Sequence, residues 1–473
     1  MPDSRPAFDA RSTPWPAVLL LLSAACAHAP GPARSGTWPA LELTYEVAYR
    51  TAPHAIDVDI KLHGPVRDFL FTEPGRVHAV TATVRGAEAT IAVDDDGRVA
   101  LPSGTTQLRY RYPLDGAASR WDVYGGAGTP GSIVVAGRTY LIRPRVADSV
   151  TATLRITGAA ALLPWPSDAD GAWHLSGTDL VDSGFHSFGG ERCTVQVEGG
   201  VLEIALHRGV LSVGRQQLCE WVKRAAEEVL TVRRPFPQPR VVVHLMPIDG
   251  DGASPLGLML WSTPPSLTIL VGSHAREDDF DRDWVAVHEL LHLVHPSFLH
   301  RAPWIPEGLA TYYQEVARMR SGRIRPEEGW VALARAFRAG FEERPTWTLK
   351  DAEEGLRRGT YQPLYWAGAL IALELDVEIR RATFGRRSLD DALALLARRG
   401  STASVGSFAR AIDETAGAKI FERVVDARSE EPVFARSAAL LERLGIFEAG
   451  DEVRLGGAPD SAIRDAITRG APL

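Results

Sequence analysis

Trp284-Val285-Ala286-Val287-His288-Glu289-Leu290-Leu291-His292-Leu293-Val294 is the stretch on which the reading of this chain turns. Its spacing predicts a helix that Asp279 or Asp281 can cap and that Pro296 ends. Histidines four residues apart lie on one helical face, so His288 and His292 can direct both imidazoles at one ion. Glu289 stands beside that face without being forced onto the ion, placed to take a proton from a water held there. A surface helix with two solvated histidines is the bland alternative. Against it, Val285, Val287, Leu290, Leu291, Leu293 and Val294 are so apolar that the helix must be largely buried, and two buried histidines need a partner such as a cation.

A third ligand is expected nearby. A short loop leads from His292 into Pro303-Trp304-Ile305-Pro306-Glu307-Gly308-Leu309-Ala310-Thr311-Tyr312-Tyr313. Pro306 suits a helix start, which puts Glu307 in the first turn. Gly308, Ala310 and Thr311 carry little bulk, so this helix is expected to approach the motif helix closely. Two histidines and one glutamate leave a fourth position for water, the catalytic rather than the structural form of a Zn2+ site. The rival ligands are His295, three residues past His292 and better read as a helix C-terminal cation or as a hydrogen-bond donor behind a ligand, and His300, in the loop beyond Pro296 and read as solvated.

Working outward, the chain divides. Residues 1–26 place Arg5 and Arg11 before a short apolar run, Ala17 to Leu22, and end in Ser23-Ala24-Ala25-Cys26. This pattern reads as an export signal. Its terminal cysteine resembles a lipoprotein box, with Cys26 as the lipidation site; plain secretion is the other reading. Residues 27–37 are a tether rich in Ala, Pro and Gly. From 38 to 210 apolar residues alternate, as in Leu41, Leu43, Tyr45, Val47, Tyr49 and again in Ile56, Val58, Ile60, Leu62. Short strands in succession predict an all-β, sandwich-like domain. Residues 211–395, the expected catalytic domain, open with a helix (Gln216 to Val232) and buried strands (Val241 to Met246, Ser266 to Val271); beyond Asp279 the chain reads as almost wholly helical, with starts at Pro306, Pro363, Ser388 and Ser407. A helical C-terminal region, 396–473, closes the chain.

Composition removes several classes of function. A net charge of -7 excludes nucleic acid as the main partner, and no apolar run reaches the roughly 20 residues of a membrane span. Membrane contact would come only through a lipid anchor. Beyond Cys26 the cysteines are Cys193 and Cys219, which an oxidising compartment permits to pair or to remain free thiols. Without a C-x-x-C or Cys/His array, a thiolate zinc site is excluded.

The motif His288-Glu289-x-x-His292 with Glu307-Gly308-Leu309-Ala310-Thr311-Tyr312 resembles the Glu-zincin peptidases, and among them the glycyl aminopeptidase family. The likeness continues through Tyr365-Trp366-Ala367-Gly368-Ala369-Leu370, then Asp376, Glu378, Arg380, Asp390 and Asp391, and reaches Phe421, Val424 and Gly445. It implies a multi-domain protein whose β domain precedes a thermolysin-like α+β catalytic domain. Zn2+ would be held by His288, His292 and Glu307, with Glu289 as general base and Tyr365 stabilising the oxyanion. A peptide or protein substrate would lie along an edge strand at Gly257, Leu258 and Met259.

Three departures accompany the resemblance. The spacing from His292 to Glu307 is short for the family. The edge segment Gly257-Leu258-Met259-Leu260-Trp261 lacks the glutamate with which relatives bind a substrate's α-amine. The chain stops near the point where relatives add a PDZ domain. The expectation is a zinc peptidase of the bacterial cell envelope, with aminopeptidase and endopeptidase both open; its rival is a catalytically silent envelope lipoprotein that binds peptide or a partner protein in the same cleft.

Overall fold

The computed structural model describes residues 41–72, 76–114, 125–145, 150–298, 302–449 and 452–470. The signal, Cys26, the tether and His300 lie outside them.

Alternating burial builds the first layer. Leu43, Tyr45, Val47 and Tyr49 turn inward from one strand, and Ile56, Val58 and Ile60 from the next. A seven-stranded sheet results, in the order Trp173–Ser176, Val150–Thr157, Leu41–Thr51, His54–Leu62, Thr105–Pro113, His78–Val84, Ala87–Thr90. Its inward face shares a core with Phe69, Val99, Ile133, Val135 and Phe188, contributed by a three-stranded and a four-stranded sheet, and with Tyr140 of the short helix Gly137–Tyr140. The all-β, sandwich-like expectation therefore holds.

A five-stranded sheet begins the second unit, in the order Glu191–Val197, Gly200–Leu206, Arg240–Ile248, Ser266–Gly272, Gly257–Leu260. The first two of these strands lie within 38–210, the span read as the N-terminal domain. The sheet boundary thus falls before Glu191 and not at 210. Alternation identifies a strand but not the sheet it joins. The decisive contact is non-local: Gly200–Leu206 pairs in parallel with Arg240–Ile248 across the helix Arg215–Val229, the helical crossover that parallel strands require. A Cys193–Cys219 disulfide ties the outer strand to that helix.

Beyond the sheet the chain is mainly helical, as expected, with a hairpin of Ile446–Ala449 and Glu452–Leu455 near the end. Two helix starts differ from the expected ones. The Glu307 helix runs Trp304–Arg320, with Pro306 inside its first turn, where proline is tolerated. Ser404, rather than Ser407, caps Val405–Ala416, its hydroxyl accepting from Ser407 N. Leu393, Leu396, Phe408, Ile412 and Phe421 belong to one core, so packing runs unbroken across residue 395.

Candidate metal centre

The motif helix, Val285–Leu291, is buried along its whole length and gives way to a 3-10 turn at His292–Val294. Its cap is Asp283, whose carboxylate accepts from Ala286 N at 3.0 Å. The two aspartates expected there act elsewhere: Asp279 caps the preceding helix Glu277–Arg282, and Asp281 pairs with Arg224 and Arg323. Burial raises the Asp283 pKa to about 6.

The Glu307 helix meets the helix Gln362–Ala382, which carries Tyr365, through two glycines. A Cβ on Gly308 would sit 2.3 Å from the Gly368 carbonyl carbon, and one on Gly368 would sit 2.2 Å from Trp304 O. The small residue at 308 therefore serves contact with the Tyr365 helix, not with the motif helix as its position suggested. Behind this crossing Asp376 accepts from Tyr312 OH (2.9 Å), Arg380 Nε (3.0 Å) and Leu389 N (3.0 Å). Asp390 likewise accepts from Tyr313 OH (2.6 Å) and Arg320 Nη1 (2.8 Å). Of the residues carried by the family resemblance, Asp376 thus ties the Tyr365 helix to the Glu307 helix, and Asp390 ties the Glu307 helix to a further helix, Leu389–Arg398.

His288, His292 and Glu307 come together. Among the described residues, one ligand atom from each lies within 4.8 Å of the others. Glu307 Oε2 stands 3.5 Å from His288 Nε2 and 3.7 Å from His292 Nε2, and the two rings are nearly perpendicular. These separations are too long for strong hydrogen bonds, but three converging acceptor-type atoms suit a shared cation. Two imidazoles and a carboxylate form a donor set that fits Zn2+. His295 is buried 5.9 Å from the His292 ring, and its Nδ1 pairs with Pro296 O at 2.8 Å; it is not one of the converging three.

The electrostatics separate the roles. Burial lowers the His292 pKa to about 3, leaving a neutral ring with a lone pair for a metal. Burial would lower His288 as well, but Glu307 and Glu289 overcome it and hold its pKa above the ordinary value. Burial acts to raise Glu307, and both histidines and Tyr365 outweigh it, so this carboxylate is held below its usual range. Glu289 goes the other way, raised to about 7 by burial and by the charge of Glu307, against the pull of His288. Tyr365 stacks 6.1 Å from the His288 ring, with its pKa pushed well up by burial and by Glu307 and Glu289.

The strand Gly257–Leu260 forms the edge of the five-stranded sheet beside Glu289. A Cβ on Gly257 would lie 2.2 Å from Glu289 Cγ, so only glycine leaves room for that side chain. Leu258 packs between the sheets with Val134 and Phe185, and Met259 packs against the helical core. Their side chains serve packing, which leaves the strand's main chain as the candidate substrate edge. Sequence reasoning missed Gln314, whose Oε1 accepts from His288 Nδ1 at 2.8 Å. The available signal was its position seven residues after Glu307, two turns along the same helix.

No family model and no curated protein matches the chain. Solved structures do. An aminopeptidase N family protein from Idiomarina loihiensis superposes with a TM-score of 0.63 at 13% identity, covering 86% of this chain and 78% of that one. An M1 zinc metallopeptidase from Deinococcus radiodurans gives 0.52 at 18% identity, covering 82% and 92%. Native yeast LTA4 hydrolase gives 0.50 at 10% identity, covering 88% and 74%. The chain therefore shares the fold of these solved M1-type structures, as the resemblance to Glu-zincin peptidases led one to expect.

Proposed function

We propose that this chain is a zinc-dependent peptidase of the cell envelope, with His288, His292 and Glu307 as ligands. The observation that carries the proposal is the convergence of these three side chains beside a buried glutamate for which Gly257 makes room. When bound, zinc would polarise the scissile carbonyl and acidify the attacking water. Glu289, with its pKa near neutrality, takes the proton from that water and delivers it to the leaving nitrogen. Tyr365 donates its hydroxyl hydrogen to the developing oxyanion.

Cleavage within a chain fits this cleft better than removal of an N-terminal residue. An α-ammonium needs a carboxylate of its own, and the edge strand Gly257–Leu260 carries none. Two acids that could have supplied it are engaged elsewhere. Glu315 accepts from Gln314 and Arg318, and Asp351 caps the helix Leu349–Arg357. Export and acylation at Cys26 belong to the same proposal, and the Cys193–Cys219 disulfide supports an oxidising compartment.

The test is a peptide library offered to the zinc-loaded chain in free and N-acetylated forms. Cleavage of both forms at internal bonds is expected. Cleavage of free peptides alone, one residue at a time, would overturn the endopeptidase reading. Bound zinc without cleavage of either form would favour a silent peptide-binding lipoprotein.

A further inference from the structure

We infer that Gln314, Glu315 and Arg318 form a buried chain that keeps the His288 proton on Nδ1, so that Nε2 offers its lone pair to the metal. The three side chains are 3, 4 and 7% exposed, and each is linked to the next. Arg318 Nη1 donates to Glu315 Oε2 at 3.2 Å, and Gln314 Nε2 donates to Glu315 Oε1 at 3.2 Å. Gln314 Oε1 then faces His288 Nδ1 at 2.8 Å.

The direction of every bond follows from Arg318. A guanidinium only donates, and an ionised carboxylate only accepts. Glu315 therefore requires the NH2 side of the Gln314 amide, which turns the carbonyl oxygen toward His288. A carbonyl can only accept, so His288 must donate from Nδ1. With the ring neutral, the one remaining lone pair is on Nε2, the atom 3.5 Å from Glu307 Oε2. Left to itself, that Nε2 would gain by carrying the proton and donating to Glu307. The chain opposes this.

The same groups align the two ligand-bearing elements. Gln314, Glu315 and Arg318 share a helix with Glu307, and Arg318 Nη2 donates at 3.0 Å to Arg282 O, next to the cap of the motif helix. These are positioning residues, acting on the metal through His288. The inference rests on the metal reading of the site and is independent of hydrolysis.

Nitrogen-15 spectra of the imidazole rings in the metal-free protein test it, at a pH where His288 is neutral. Wild type should show His288 protonated at Nδ1; protonation at Nε2 would overturn the inference without any variant. In Gln314→Met the proton should move to Nε2, and zinc affinity measured by chelator competition should fall about 10- to 100-fold. Gln314→Glu retains an acceptor and should keep the Nδ1 proton. Gln314→Met with the wild-type tautomer, or with zinc affinity within about twofold of wild type, would also overturn it.

Discussion

Gly257 lacks a side chain where Glu289 needs the space, and this one steric relation links the sheet edge to the chemistry. Gly257→Ala places a methyl 2.2 Å from Glu289 Cγ. The strand is paired with Ser266–Gly272 and cannot easily retreat, so the glutamate must move. The variant should retain zinc and lose about 10-fold or more in kcat, since a displaced base no longer reaches the water's proton. Peptide hydrolysis with elemental analysis checks this; wild-type kcat would show that Glu289 does not act from its observed position. Two ligands and the base were legible in sequence because His288, Glu289 and His292 span about one helical turn, and Glu307 because it opens the next helix. Asp283 and Gly257 were less so. The cap is one of several nearby aspartates, and the glycine is needed because of a residue far along the chain.

Two helices supply the remaining groups, and their separation is set by Gly308 against Gly368. Both clashes that a Cβ would cause are with backbone atoms, which cannot rotate away. Gly308→Ala should therefore destabilise the fold by about 1–3 kcal/mol or more, seen as a lower thermal midpoint. Glu307 adjoins this contact, so weaker zinc binding should accompany the loss. Unchanged melting and zinc affinity would contradict the packing described. Small residues on both helices were visible in the sequence, but not which helix each one faces. Periodicity identifies a face, and only tertiary packing chooses its partner.

Across the whole molecule, a buried layer of histidines lies where the β-rich unit meets the five-stranded sheet. His244 Nε2 reaches Phe185 O at 3.3 Å, its ring is 5.9 Å from that of His207, and His186 Nδ1 meets Tyr140 OH at 2.6 Å. Burial lowers His186 to about 3 and His207 to about 4, and takes His244 well below its ordinary value. The folded chain keeps these rings neutral, whereas the unfolded chain protonates them below pH ~6.5. These rings therefore cost stability as pH drops from about 6.5 toward 4, His186 and His207 each about 2 kcal/mol at pH 5. Asp283 and Glu289, raised to about 6 and 7, act with the opposite sign over the same window. Glu228, His288 and Asp390, also raised, act with these two acids, whereas His292 and His295, also lowered, act with the three histidines of the layer. Groups of both signs titrate in this window, so the test is a difference: between pH 7 and pH 5 the thermal midpoint of metal-free His207→Gln should lose less than that of the metal-free wild type, and parallel profiles would contradict this. At this scale the sequence reading was weakest, because strands that alternate identically join different sheets through pairings made far along the chain.

The central claim is that three ligands hold zinc while Glu289, which is not a ligand, moves the proton. Zinc content and peptide hydrolysis measured together on Glu289→Gln and His292→Ala test it most directly. Glu289→Gln should keep its zinc and lose about 100-fold or more of its activity, whereas His292→Ala should lose both. Wild-type hydrolysis by Glu289→Gln, or full zinc content in His292→Ala, would contradict the account.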